Sequence, residues 1–144
     1  MIDLHTMPPS VILAVLIWGE ARGEPIQGQI AVANVVRNRV LHRNDLNWLA
    51  VCLADRQFSC FNVDDPNYHL IQRAVGNLTT ALPTPELAQA KWIADGVMAG
   101  VVKDNTKGAT HYLETVLLTT KPPAWAVNQP VLVEIGHHSF LKVA

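Results

Sequence analysis

The side chains best placed for acid–base work gather around residue 20. Eight apolar residues run without interruption from Val11 to Trp18, and Gly19-Glu20-Ala21-Arg22-Gly23-Glu24 follows at once. A run with no polar face predicts a helix buried all round, because a half-exposed helix shows polar residues at the 3.6-residue period. Ser10, after Pro8-Pro9, is its expected N-cap. If the helix ends near Gly19 or Gly23, Glu20 lies in its last turn, where apolar surroundings and the negative end of the helix dipole both disfavour the carboxylate. Both effects raise the pKa, and Arg22 acts the other way. Cleavage of a glycosidic bond needs a carboxyl that still holds its proton near neutral pH, since the leaving oxygen must be protonated as the bond breaks. On these residues alone, an ion pair with Arg22 or a turn cap competes with that chemistry and is the commoner use of such a cluster.

Other groups point to other reactions less well. His111, His137 and His138 are the clustered imidazoles, but adjacent strand residues face opposite ways and no His-Glu-x-x-His occurs, so neither metal nor cofactor is expected. Cys52 and Cys60 are too few for a disulfide scaffold or a Cys-based zinc site and read as two buried thiols. Neither Gly-x-Ser-x-Gly nor a Cys-Gly signature supplies a nucleophile. Glu24 precedes Pro25, which favours an extended conformation outside the helix, where water keeps the carboxylate ionised. It is the alternative acid, or else a structural or ancillary carboxylate. Asp64, Asp65 and Glu114 are further possible second acids, indistinguishable here from caps and loop charges.

These groups must be positioned by a chain of 144 residues, which is one domain over residues 1–144 and long enough to bury its own core. With 49% apolar and 16% charged residues and a net charge of −1, it lacks the basic footprint that nucleic acid or an anionic membrane demands. The first ten residues carry Asp3 and no basic residue, unlike a secretory signal, and the apolar run after them is too short to span a bilayer. A leaderless, soluble monomer made in the cytoplasm is therefore expected, without membrane insertion.

A second core helix is predicted over residues 27–42, with Ile30, Ala33, Val36 and Val40 at helical spacing. Arg37, Arg39 and Arg43 near its end are either a solvated basic face or a site for sugar or carboxylate. Asp45 is the expected cap of a short helix over Leu46, Trp48, Leu49 and Leu53. Residues 57–61 alternate as a strand does, and Asp65-Pro66 and Pro83-Thr84-Pro85-Glu86 open two further helices. The second of these carries Leu87, Ala90, Ala94, Val97 and Val101 on one face, with Gly96 and Gly100 allowing close approach. Beyond the polar loop at 103–108, strands are expected at 109–113 and 131–135, the latter turning at Gly136-His137 into 139–141. Lys121-Pro122-Pro123-Ala124-Trp125 reads as a surface loop, whose Trp125 either stacks on a sugar ring or is a structural aromatic.

The stretch from Trp18 resembles the SleB-type cell-wall hydrolase family, which includes spore-cortex lytic enzymes and phage lysins. The resemblance rests on Trp18, the GEARGEP at 19–25, Gly28-Gln29 and Asn38-Arg39-Val40. It continues through Gln57-Phe58-Ser59-Cys60-Phe61, Gly108-Ala109-Thr110-His111-Tyr112 and Ile135-Gly136-His137-His138-Ser139-Phe140. Four ordered motifs over nearly the whole chain are far more specific than one short pattern. The resemblance implies a mainly helical, lysozyme-like α+β domain with a small antiparallel sheet, acting on peptidoglycan between N-acetylmuramic acid and N-acetylglucosamine. It implies Glu20 as a single catalytic acid, most readily in a lytic transglycosylase that leaves 1,6-anhydro ends. A hydrolytic muramidase is the alternative, ahead of a metal-dependent amidase or a non-catalytic wall-binding module. The strand at 57–61 is expected to border the acid, which makes Gln57 and Ser59 substrate contacts together with Glu24, His111, Tyr112 and Trp125. Spore enzymes of this family usually carry an export signal and a peptidoglycan-binding repeat. Neither pattern is present here, which suits a phage endolysin released to the wall at lysis.

Overall fold

In the computed structural model, which describes residues 1–43 and 47–143, helix α1 (Pro9–Ala21) runs through the middle of the molecule. From Ile12 to Ile17 no side chain exposes any surface. Helices α2 (Ile26–His42), α3 (Trp48–Cys52), α4 (Tyr68–Thr80) and α5 (Pro85–Met98) pack around it, with a 3-10 turn at Ser59–Phe61 against its C-terminal end. Each large aliphatic side chain of α1 so enclosed contributes about 1.5–3 kcal/mol of transfer free energy. Ser10 is not the N-cap. Pro8 takes that position and its carbonyl accepts the Val11 and Ile12 N–H groups, while Pro9 enters the first turn with φ already near the helical value.

Helix α2 begins one residue before the predicted segment and ends with it. Its buried amides tie down the loops on either side of the site: Gln29 Nε2 donates to the Glu24 carbonyl at 3.0 Å, and Asn38 Nδ2 to the Ala109 carbonyl at 2.9 Å. The loop at 103–108 is organised by Asp104, whose carboxylate accepts the Thr106 and Gly108 N–H groups at 2.8 and 2.9 Å. This loop delivers the chain to the sheet. The Asp45 cap lies outside the described residues; Asn47 caps α3, its Oδ1 accepting from Ala50 N at 3.0 Å.

Helix α4 starts later than Asp65-Pro66 suggests, because the Asp65 carboxylate accepts the Asn67 N–H at 2.8 Å and closes a local turn first. Helix α5 starts as expected under the Thr84 cap but stops short of Val101, which is 74% exposed. Gly96 does permit close approach, since a Cβ there would lie 2.5 Å from Val102 Cγ2. Gly100 instead faces open space at φ +74°, where it turns the chain out of the helix.

Strands β1 (His111–Glu114), β2 (Val131–Ile135) and β3 (His138–Leu141) form an antiparallel sheet in the order β1-β3-β2. The β2–β3 hairpin turns at Gly136, whose φ is +59°. Tyr112 pairs with Phe140 and Glu114 with His138. A short helix α6 (Leu117–Thr120) precedes the stretch from Lys121 to Trp125 read as a surface loop, and that stretch runs into a 3-10 turn at Ala124–Ala126. Together they cover a small second core of Leu113, Ala126 and Leu141.

The strand predicted at 57–61 does not form. Arg56 takes a left-handed conformation (φ 57°), Phe58 is extended with its ring in the core, and Ser59–Phe61 coils into the 3-10 turn. Over two or three residues an extended segment entering a tight turn buries alternate side chains as a strand does, so the periodicity could not separate them. The rest agrees with the expected class, a mainly helical α+β fold with a small antiparallel sheet.

Candidate active site

Glu20 projects from the last turn of α1 between two cavities. One, of about 430 Å³, is lined by Arg39, Gln57, Ser59, His111, Tyr112 and Trp125. The other, of about 600 Å³, is lined by Glu24, Glu114, Glu134, His137 and His138. A third cavity of about 370 Å³ shares Arg39, Gln57 and His111 with the first. Neighbouring cavities share lining residues, Glu20 between the first two, so the three lie along one groove with Glu20 on its wall.

Burial raises the pKa of Glu20, and the charge of Asp65 adds to the shift. The Cys60 backbone N–H and thiol both donate to the Glu20 carboxylate and oppose it. The net effect is upward, as the end of a buried helix requires. Arg22 does not pair with Glu20. Its guanidinium lies over the Trp18 ring, 4.2 Å from the centroid, and its Nη1 is 3.5 Å from the Trp18 carbonyl. Gly19 is what lets the Cys60 turn reach the acid, since a Cβ there would meet Cys60 Cβ at 2.9 Å and Sγ at 3.0 Å. Burial pushes the Cys60 thiol far above its ordinary range and Cys52 up to about 12, so both stay protonated; Cys60 is half-buried where full burial was expected.

The remaining expected contacts Gln57, Ser59, His111, Tyr112 and Trp125 all line the first cavity. His111 and Trp125 have ring centroids 4.9 Å apart, tilted by 44°, and form one aromatic wall. Burial lowers the pKa of His111, with the Arg39 charge adding, which keeps its imidazole neutral. Tyr112 packs edge-on to His138 at 5.1 Å, and burial together with nearby Glu20 raises its phenol well above the usual value. Gln57 accepts from Arg39 Nη1 at 3.3 Å, and Arg39 Nε donates to the Thr110 carbonyl at 2.6 Å. Arg39 thereby bridges α2, the 57–61 segment and the start of β1. Sequence reasoning left it between a solvated face and a binding role; only the tertiary fold brings these acceptors to it.

Glu24 lies in the second cavity, but its carboxylate is 7% exposed and already engaged. Oε1 accepts the His137 N–H at 2.8 Å, and Oε2 is 2.7 Å from His137 Nδ1. His138 Nδ1 is 3.3 Å from Oε1 without hydrogen-bond geometry. A Cβ on Gly136 would fall 2.7 Å from Oε1, so the hairpin turn closes directly onto this side chain. Burial raises the Glu24 pKa, but the His137 hydrogen bonds and the two imidazoles outweigh it and the net shift is downward. The two histidines thus meet on a carboxylate. No group of three or more metal-ligating side chains occurs among the described residues.

A family model described as cell wall hydrolase matches residues 23–141. The spore cortex-lytic enzyme of Bacillus cereus is 30% identical over 132 residues, 91% of this chain but 43% of that protein. The chain therefore spans less than half the length of this curated relative. Among solved structures, the catalytic domain of the Bacillus cereus SleB protein superposes with a TM-score of 0.68 at 26% identity, covering 93% of this chain and 89% of that one. The catalytic domain of the germination-specific lytic transglycosylase SleB from Bacillus anthracis gives a TM-score of 0.66, also at 26% identity, covering 98% and 100%.

Proposed function

This chain belongs to the cell wall hydrolase family, and from that premise we propose that it cleaves the glycan strand of peptidoglycan as a lytic transglycosylase. The observation that carries the reading is the contrast between two carboxyls on one groove. Glu20 is half-buried with a raised pKa and borders open space, whereas both oxygens of Glu24 are held by the hairpin. A single carboxyl suffices for transglycosylation. Neutral Glu20 protonates the glycosidic oxygen as the bond between N-acetylmuramic acid and N-acetylglucosamine breaks. The resulting carboxylate then takes the proton of the muramic acid C6 hydroxyl while that oxygen attacks the anomeric carbon and closes the 1,6-anhydro ring. Tyr112, Gln57 and Ser59 offer hydrogen bonds to sugar hydroxyls, and the His111–Trp125 wall offers an apolar face to a sugar ring.

One feature favours the hydrolytic alternative: exposed Glu114 lines the same cavity as Glu20 and could serve a water molecule. Mass spectrometry of digested peptidoglycan separates the two, with anhydro ends expected and reducing ends pointing to a muramidase. Glu20→Gln is expected to lower the rate by about 10²–10⁴-fold at an unchanged melting temperature. Full activity of that variant, with loss in Glu24→Gln instead, overturns the assignment. We also propose an endolysin role, which predicts that the protein lyses a bacterial host when co-expressed with a pore-forming partner.

A further inference from the structure

The cavity at one end of the groove is cationic. Arg39, Arg43 and Lys142 line it, and no carboxylate does so among the described residues. The whole chain carries a net charge of −1, so this is a local concentration and not a generally basic surface. Arg39 is only half-exposed. It spends Nε and Nη1 on two neutral acceptors, the Thr110 carbonyl and Gln57, and has no carboxylate within ion-pair distance among the described residues. Burial holds its guanidinium below the ordinary value, with neighbouring Arg43 adding to the shift and Tyr112 opposing it. A cation partly withdrawn from water without an anion is costly, and an entering anion relieves that cost. Arg43 and Lys142 are exposed and likewise have no carboxylate within ion-pair distance among the described residues.

The cavity continues into the one beside Glu20 through Arg39, Gln57 and His111, so a polymer lying along the groove carries its substituents to it. We propose that this pocket binds a carboxylate borne on the lactyl arm of a muramic acid residue in the strand being cut. The inference rests on the peptidoglycan reading above. It adds that the protein senses how that arm is substituted, through charge-assisted hydrogen bonds from Arg39, Arg43 and Lys142. Uncharged arms forgo this contact.

The test uses the full chain, N-acetylmuramyl-tripeptide with free carboxyls, and the same compound with every carboxyl amidated. In an NMR titration the free acid is expected to bind about tenfold more tightly than the amide and to shift the signals of Arg43 and Lys142. In the double variant R43E/K142E, whose two sites are exposed, that ratio is expected to fall to about one at an unchanged melting temperature. If that pair disturbs folding, R43Q/K142Q serves instead. Equal binding of the two probes by the parent protein, or an undiminished ratio in the variant, overturns the proposal. Cleavage of stem-bearing strands and of amidase-stripped strands, which keep only the lactyl carboxylate, then identifies the anion: an advantage kept on stripped strands assigns the lactyl group, and one lost there assigns the peptide stem. Selective binding with no strand cleaved leaves the pocket standing and sinks the enzymatic reading. Cleavage without carboxylate discrimination does the reverse.

Discussion

Glu20 is poised by opposition. Burial at the end of α1 favours its neutral form, and the two Cys60 donors favour its ionised form. The thiol donor is the separable one, because Cys60 stays protonated and its backbone N–H is untouched by substitution. In Cys60→Ala the carboxylate loses one of its stabilising hydrogen bonds, so the Glu20 pKa is expected to rise further. In the proposed reaction the acid must be neutral, so the alkaline limb of the kcat/KM profile then moves to higher pH; a limb that stays put or moves down contradicts this role for the thiol. The position of Glu20 is legible in the sequence because a helix without a polar face has to end where the acids begin. Cys60 is not legible, since what makes it matter is a contact across forty residues, permitted by the missing side chain of Gly19.

At the scale of elements, the groove wall is a hairpin clasped to the α1–α2 turn by Glu24. The Glu24 pKa is lowered from 4.5, so its contribution to stability is present above about 4.5 and is lost as pH falls through the lower folded value. The His137 pKa is raised from 6.5, so its contribution is complete below about 6.5 and is lost as pH rises through the higher folded value. The clasp is therefore strongest between those limits. Glu24→Gln is expected to lower the melting temperature most near pH 5.5–6 and less as pH rises and His137 loses its charge. A pH-independent difference contradicts an ionic clasp. The strands of this hairpin and both long helices α2 and α5 can be read from periodicity and caps. The turn at Ser59–Phe61, the delayed start of α4 and helix α6 cannot, because each depends on a local side-chain bond or on a neighbour that covers it.

Across the whole molecule, the three adjoining cavities make a site longer than the single glycosidic bond of the proposed reaction. They also differ in charge, with Glu24, Glu114 and Glu134 around one end and Arg39, Arg43 and Lys142 around the other. A strand that fills all of them brings binding energy from sugars remote from the cut, and such energy raises the rate of the chemical step as well as affinity. Lengthening a glycan from a tetrasaccharide to an octasaccharide is thus expected to raise kcat/KM by about tenfold or more. No gain with length would confine recognition to the sugars that flank Glu20. Individual cavity residues were legible from the sequence, but their alignment along one groove was not, because residues 39, 57, 111 and 142 share no local pattern.

Helix α1 has no side facing water from Ile12 to Ile17, and its neighbours enclose it. Nothing can therefore loosen that segment while leaving the remainder in place, and the carboxyl it carries has no private route to disorder. On heating, loss of lytic power and the collapse of amide exchange protection along this rod should coincide, with no inactive yet otherwise intact species in between.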